Sequence, residues 1–333
     1  MDRAITTALR VLSHFWLEEI RSEDLETIKS LPPLEQTLPD LNSDDLTDLA
    51  VEHQRLFGFN LPPYESVFID PSAMLMAPAT ERIQALYRHH GWQMPPEIRA
   101  GAPDHIGVEL LALADWLDLD QLAPAWQLHG QHLALWGPPF ILTLQRLSPH
   151  TFYQTLAELT LDLLLTTLPG TAIPAEANLF PALPPPPVYH GTGDRLLKSR
   201  PEISREISGS PAQTTGGEDP PAGGPGEMVK QLLAPRSAGL FFTRADLAGI
   251  GQRLDLPVVV GDRFKMMQSL FRQAVQYDLA PDLLEQLDRL LTQVDAAYRN
   301  LGADYPHWTP YAKAWRDRLS MTRTTLKRSG VTP

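Results

Sequence analysis

The sequence contains no cysteine. That removes disulfide staples, thiolate nucleophiles and cysteine-ligated zinc or iron–sulfur centres together, and fits a reducing compartment. No glycine-rich loop ends in Gly-Lys-Ser/Thr, so a phosphate cradle for nucleotide hydrolysis has no candidate. Gly-x-Ser-x-Gly, the strained elbow of the serine hydrolases, is also missing. Long apolar runs are absent. The greasiest stretch, LAELTLDLLLTTLPG, is interrupted by Glu158 and Asp162 and closed by Pro169, short of the ~20 apolar residues that a membrane span needs. The start, MDRAITTALRVLSHFWLEEI, sets Ile5, Leu9, Leu12, Trp16 and Ile20 at helical spacing among charges, which predicts a core helix rather than a signal peptide. A cytoplasmic protein without a membrane span is therefore expected. Alternating strand patterns are absent too. Only LPVVVG, around Val258 to Val260, resembles a strand, and one short strand makes no sheet.

What the chain has in excess is proline, 32 in 333 residues, about twice the usual share. Eleven of these, with 9 of the 21 glycines, fall within residues 170–226. A stretch of that composition buries too little apolar surface to offset its ordering entropy, so it reads as an extended, disordered linker. It separates a helical domain over 1–169 from a smaller helical region over 227–328. The formal charge of −12 divides along the same line: residues 1–169 carry 9 Lys+Arg against 23 Asp+Glu, and residues 227–333 carry 15 against 11. An acidic first part repels nucleic acid and attracts cationic partners.

The period of 3.6 runs through nearly every segment and predicts an all-α protein. In the first part, Ser43-Asp44-Asp45 starts one helix and Gly91 stops another. Pro103 and Asp104 precede a stripe of Ile106, Leu110, Leu113 and Leu117, with Asp104 a suitable N-cap residue. Further helices are expected over Leu122–Trp136 and Thr151–Leu168. In the second part, Thr243 with Asp246 forms a capping pair, and Asp262, Pro281 and Thr309-Pro310 open three more helices. Chemistry-bearing patterns are sparse. His105 with Glu109, at i and i+4, and His129 with His132, at i and i+3, give an alternative from another class, a metal-dependent hydrolase; a third reading is a structural adaptor whose proline segment recruits an aromatic-groove partner. Neither pair matches the zinc-protease helix, which places Glu directly after its first His.

Three segments in order, LFGFNLPPYESVFID (56–70), APDHIGVELLALADWL (102–117) and HLALWGPPF (132–140), resemble the TorD/DmsD/NarJ family of redox-enzyme maturation chaperones. The Asp-His helix is the most specific piece. The resemblance implies a TorD-like helical bundle that is not an enzyme and holds no cofactor. It implies a partner, the catalytic subunit of a molybdopterin-dependent oxidoreductase, whose twin-arginine leader or apoprotein is held until cofactor insertion is complete. Domain-swapped members leave a homodimer open. Position by position, Leu56, Phe57, Tyr64, Asp104, His105, Glu109 and Trp136 match the family's peptide-binding motif. On that reading Asp104 and Glu109 supply negative potential for arginines, and Phe57, Tyr64 and Trp136 line an apolar groove. Five of the seven also have a structural reading: Asp104 as a helix cap, Leu56, Phe57 and Trp136 as core, His105 bonded to backbone. The long insert and second helical region exceed the compact members, which leaves a second binding surface open.

Overall fold

In the computed structural model, which describes residues 3–38, 43–166, 179–180 and 225–328, the regular elements are helices, joined by one isolated antiparallel bridge between Tyr64 and His105. The all-α expectation holds. The first part runs through α1 (Arg3–Leu17), α2 (Leu25–Lys29), α3 (Pro32–Glu35), α4 (Ser43–His53), α5 (Glu65–Ile69), α6 (Pro78–His89), α7 (Ile106–Asp118), α8 (Leu122–Leu128), α9 (Ala134–Leu147) and α10 (Thr151–Thr166). Two π-helical segments, Gln54–Asn60 and His129–Leu133, extend α4 and join α8 to α9. The second part comprises α11 (Pro225–Leu233), α12 (Pro235–Ala238), α13 (Arg244–Arg253), α14 (Arg263–Gln276), α15 (Ala280–Asp304) and α16 (Thr309–Arg328). LPVVVG forms no strand: Val260 is 97% exposed, and the segment links α13 to α14 as coil. Among the described residues no helix is long and apolar enough to cross a membrane.

The centre of the first part is the crossing of α1 with α7. Gly107 permits it, because a Cβ there would stand 2.8 Å from the Ser13 carbonyl. Ser13 Oγ donates to the Gly107 carbonyl at 2.6 Å, and Arg10 ties Asp115 and Asp118 at 2.7 and 2.8 Å. Around this pair the buried side chains, among them Trp16, Phe68, Trp116, Trp136, Phe140 and Phe152, form one contiguous apolar cluster that continues into the second part.

One boundary differs from expectation for a physical reason. The helix expected to end at Trp136 continues as α9 to Leu147 with Pro138 and Pro139 inside it. Proline has no N–H, so these two leave the carbonyls four residues back, those of Ala134 and Leu135, without their helical donors. The second part supplies replacements. Trp308 Nε1 donates to Ala134 O and Trp315 Nε1 to Leu135 O, both at 2.8 Å, and Tyr311 OH donates to Gly130 O at 2.7 Å in the π segment. Elsewhere on the seam Phe68 stacks on Phe241 with centroids 5.5 Å apart, Arg146 reaches Asp246 at 2.8 Å, and Arg236 donates to Ile69 O at 3.0 Å. The expected linker falls mostly outside the described residues. Leu179 and Phe180 within it are placed, with the Arg318 guanidinium 3.4 Å from the Phe180 ring centroid. Expected caps appear at Thr243, in a reciprocal box with Asp246, and at Asp262, which accepts from Lys265 N at 2.8 Å.

Candidate peptide-binding site

The site grows from a short backbone pairing. Pro62 and Pro63 hold the chain extended before Tyr64, and that stretch lies antiparallel to Asp104-His105: Glu65 N donates to Asp104 O at 2.9 Å and Ile106 N to Pro63 O at 3.0 Å. The pairing sets the N-termini of α5 and α7 side by side. Asp104 does not cap its own helix, as its position suggested. Its Oδ2 accepts from Ser66 N at 2.8 Å and Thr80 Oγ1 at 3.2 Å, so it caps α5 and braces α6. Asp70 acts in the same way one helix on, accepting from Ala79 N at the start of α6. The cap of α7 is His105, whose Nδ1 accepts from Gly107 N at 3.1 Å. That bond requires an unprotonated Nδ1, and burial agrees, pushing the imidazole down to about 3. Tyr64 meets His105 edge-on at 5.0 Å and donates its hydroxyl to Ala100 O at 2.6 Å.

Glu109, one turn into α7, is fully buried, and both its oxygens face Trp136 Nε1, at 3.2 and 3.1 Å. Burial, reinforced by the neighbouring Glu65 charge, lifts this carboxyl well above the ordinary carboxylate range. Burial thus disfavours its charged form. Asp104 is lifted too, by burial first. The expectation that Asp104 and Glu109 face a ligand directly meets their burial: in this conformation neither reaches the surface. Both have 0% of their surface exposed, as do Leu56 and Trp136, and His105 has 5%. Phe57 and Tyr64 are half-buried, and Phe57 faces inward against Trp16, His53, Phe140 and Tyr153. The motif residues come together as two linked interior groups, Tyr64–His105 and Glu109–Trp136, with Leu56 and Phe57 reaching Trp136 through Phe140.

The carboxylate that approaches the surface is Glu65, the residue after the motif tyrosine, which the sequence reading passed over. It is itself 0% exposed. His132 Nδ1 lies 2.7 Å from its Oε2 and Arg82 Nη1 lies 3.3 Å from its Oε1. Both partners line an open cleft of about 480 Å³ between α6 and the α8–π segment, walled also by Ala85, Leu86, His89, Gln127 and Gln131. The i, i+4, i+7 spacing of Arg82, Leu86 and His89 on α6 was the available signal. Before α6 the loop holds Met74, Leu75 and Met76 at 64%, 50% and 72% exposure, with Ala73 and Met76 at φ of 51° and 53°. That left-handed backbone is strained for residues with a Cβ. A second groove of about 490 Å³, more apolar, is lined by Glu19, Thr47, Ala50, Val51, Gln54, Arg55 and Phe59.

The four groups of the hydrolase alternative do not converge. His129 Nε2 bonds Leu164 O at 2.7 Å, His132 holds Glu65, His105 caps α7 and Glu109 meets Trp136. No three His, Asp or Glu side chains among the described residues are placed to share a metal ion.

Residues 21–141 match the model of the nitrate reductase delta subunit family. The family match closes at Ile141, inside α9, just past the two prolines. A curated relative, the Tat proofreading chaperone DmsD of Salmonella typhi, is 34% identical over 112 residues, covering 32% of this chain and 53% of the relative. The chain thus spans about half the length of that relative. Every motif residue from Leu56 to Trp136, and both walls of the cleft, lie inside the matched stretch.

Proposed function

We propose that this chain is a maturation chaperone of the cytoplasm, without catalytic activity. It binds the leader or apoprotein of a molybdopterin-dependent oxidoreductase catalytic subunit before export. The observation that carries the reading is Glu65, a buried carboxylate gripped by Arg82 and His132, two residues that line an open cleft within the matched stretch. A leader with two arginines and an apolar stretch needs a carboxylate beside greasy surface. The cleft supplies Glu65 beneath, and the Met74–Met76 loop at the head of α6 supplies exposed, adaptable side chains. An exposed ion pair contributes only ~0–1 kcal/mol, whereas a charge-assisted hydrogen bond shielded from water contributes about 1.5–3 kcal/mol.

On this reading the motif residues work from beneath. Tyr64, Asp104 and His105 fix where α5 and α7 begin, and so where Glu65 sits. Glu109, Trp136, Leu56 and Phe57 hold α7, α9 and the π segment against one another. The guest touches Leu86, His89, Gln127, Gln131 and His132, with Glu65 as its counter-charge.

Titration calorimetry of the full chain with a synthetic peptide, Arg-Arg followed by a leucine-rich stretch, tests this. Binding should weaken about tenfold or more in Glu65→Gln and stay unchanged in Glu109→Gln, whose carboxyl is buried against Trp136 and lines no part of the cleft. No binding by the folded wild-type chain, or equal loss in both variants, overturns the reading.

A further inference from the structure

Resting on the leader-binding reading, we propose that Arg82 is a resident stand-in for the guest arginine: its guanidinium fills a receptor formed by Glu65 Oε1 and the Gln131 carbonyl, and the incoming arginine takes its place. Arg82 reaches both acceptors at the same length, Nη1 to Glu65 Oε1 at 3.3 Å and Nη2 to Gln131 O at 3.3 Å. Other arginines in the molecule hold their carboxylates more tightly: Arg10 on Asp115 at 2.7 Å, Arg55 on Glu52 at 2.6 Å and Arg146 on Asp246 at 2.8 Å. Since about 2.7–2.9 Å is normal for a charge-assisted bond, Arg82 holds the receptor by two long hydrogen bonds.

Three features make the receptor exchangeable. The Arg82 side chain is 15% exposed on the cleft wall while Glu65 is 0% exposed behind it, so the arginine has a route to solvent and the carboxylate does not. His132 grips the other Glu65 oxygen at 2.7 Å, which keeps the carboxylate in place while Arg82 swings out. One guanidinium leaves as another enters, so the buried charge is never left uncovered at the end of the exchange. The receptor also explains a preference for arginine. Its two acceptors stand on different elements, α5 and the His129–Leu133 segment. The planar fork of a guanidinium spans such a pair, and the point charge of a lysine ammonium serves one.

Thermal melts and peptide titrations of the full-length chain test the proposal, with methylguanidinium and methylammonium chloride as probes and Arg-Arg and Lys-Lys leader peptides as guests. Arg82→Ala should melt below wild type and regain part of the difference in millimolar methylguanidinium, with no such response to methylammonium. It should bind the Arg-Arg peptide about tenfold tighter than wild type, with the Lys-Lys peptide unaffected. Arg82→Lys covers the case in which the alanine variant does not fold, and should also bind the Arg-Arg peptide tighter than wild type. Equal responses to the two cations overturn the proposal. So does peptide affinity in the folded variants no higher than in wild type, and if wild type still binds the leader, the functional reading survives that loss. Selective uptake of methylguanidinium by Arg82→Ala with no leader binding in any form keeps the receptor and sinks the functional reading.

Discussion

Residues 3–166 and residues 225–328 bury apolar side chains alike and polar ones differently. Among the described residues the first part buries carboxyl and imidazole groups, Asp24, Glu65, Asp70, Asp104, His105, Glu109, His129 and His132, whereas the second buries only Thr243, Ser269, Gln273 and Thr322 as polar side chains. Acids of the second part keep some exposure, in helical pairs such as Glu285–Arg289 and Asp295–Arg299, both at 2.6 Å. A buried ionisable group costs stability unless its partners are in place. The part that tolerates so many is the one whose geometry is committed to a task. The other part acts as structural support, and its largest contribution is to α9, the helix that prolines would otherwise weaken.

The most forceful way to break this comparison is to remove the support. Trp315→Ala should lower stability by about 3–5 kcal/mol, and Trp315→Phe by about 1–3 kcal/mol through the orphaned Leu135 carbonyl. Denaturant melts check both. Adding Pro139→Ala restores an N–H four residues beyond Leu135, so it should recover roughly 1 kcal/mol in the Trp315→Phe background. No recovery would show that the indole acts by volume alone.

A smaller effect separates the two parts by pH. Burial holds His105 at about 3 and His129 at about 4 in the folded chain, against an ordinary 6.5. Between those values the unfolded chain binds the extra protons, so stability is complete above pH 6.5 and declines as the pH falls toward 3. His105 alone should account for about 2 kcal/mol by pH 5. His105→Asn keeps a capping oxygen and removes the titration, so melts between pH 7 and pH 5 should show a shallower slope than wild type. An unchanged slope would mean that the imidazole is not buried neutral.

The smallest effect sharpens the contrast inside the polar cluster. Glu109→Gln should shift stability at pH 7 by less than about 1 kcal/mol, because the amide still offers an oxygen to Trp136. Asp104→Ala should cost about 1–2 kcal/mol by uncapping α5. Equal losses would contradict a purely hydrogen-bonding role for Glu109.

Much of the fold was legible because helical periodicity survives wherever one face is buried, as in α1, α7 and α15, and because Thr243–Asp246 and Asp262 signal their helices locally. What escaped depends on distant residues. The helix α5 is five residues long and buried throughout, so it shows no period. The continuation of α9 past Pro138 and Pro139 rests on indoles more than 170 positions away. Asp104 looked like the cap of the helix it precedes, and only the pairing of Pro63-Tyr64-Glu65 with Asp104-His105-Ile106 turns it toward α5. The motif marked the neighbourhood of the site from Tyr64 to Trp136. It did not mark which carboxyl meets the cleft's cation, since Glu65 and Glu109 read alike in a sequence and only the fold sets Glu65 against Arg82 and Glu109 against Trp136.

The central claim is that a guest lies along α6, with its arginines over Glu65 and its apolar part against the Met74–Met76 loop. A leader peptide carrying a photoreactive benzophenone beside its arginine pair, cross-linked to the full chain and mapped by mass spectrometry, tests that placement directly. Cross-links on Leu86, Gln127, Gln131 and the Met74–Met76 loop are the result expected. Cross-links confined to the groove of Val51 and Phe59, or to residues 225–328, would contradict it.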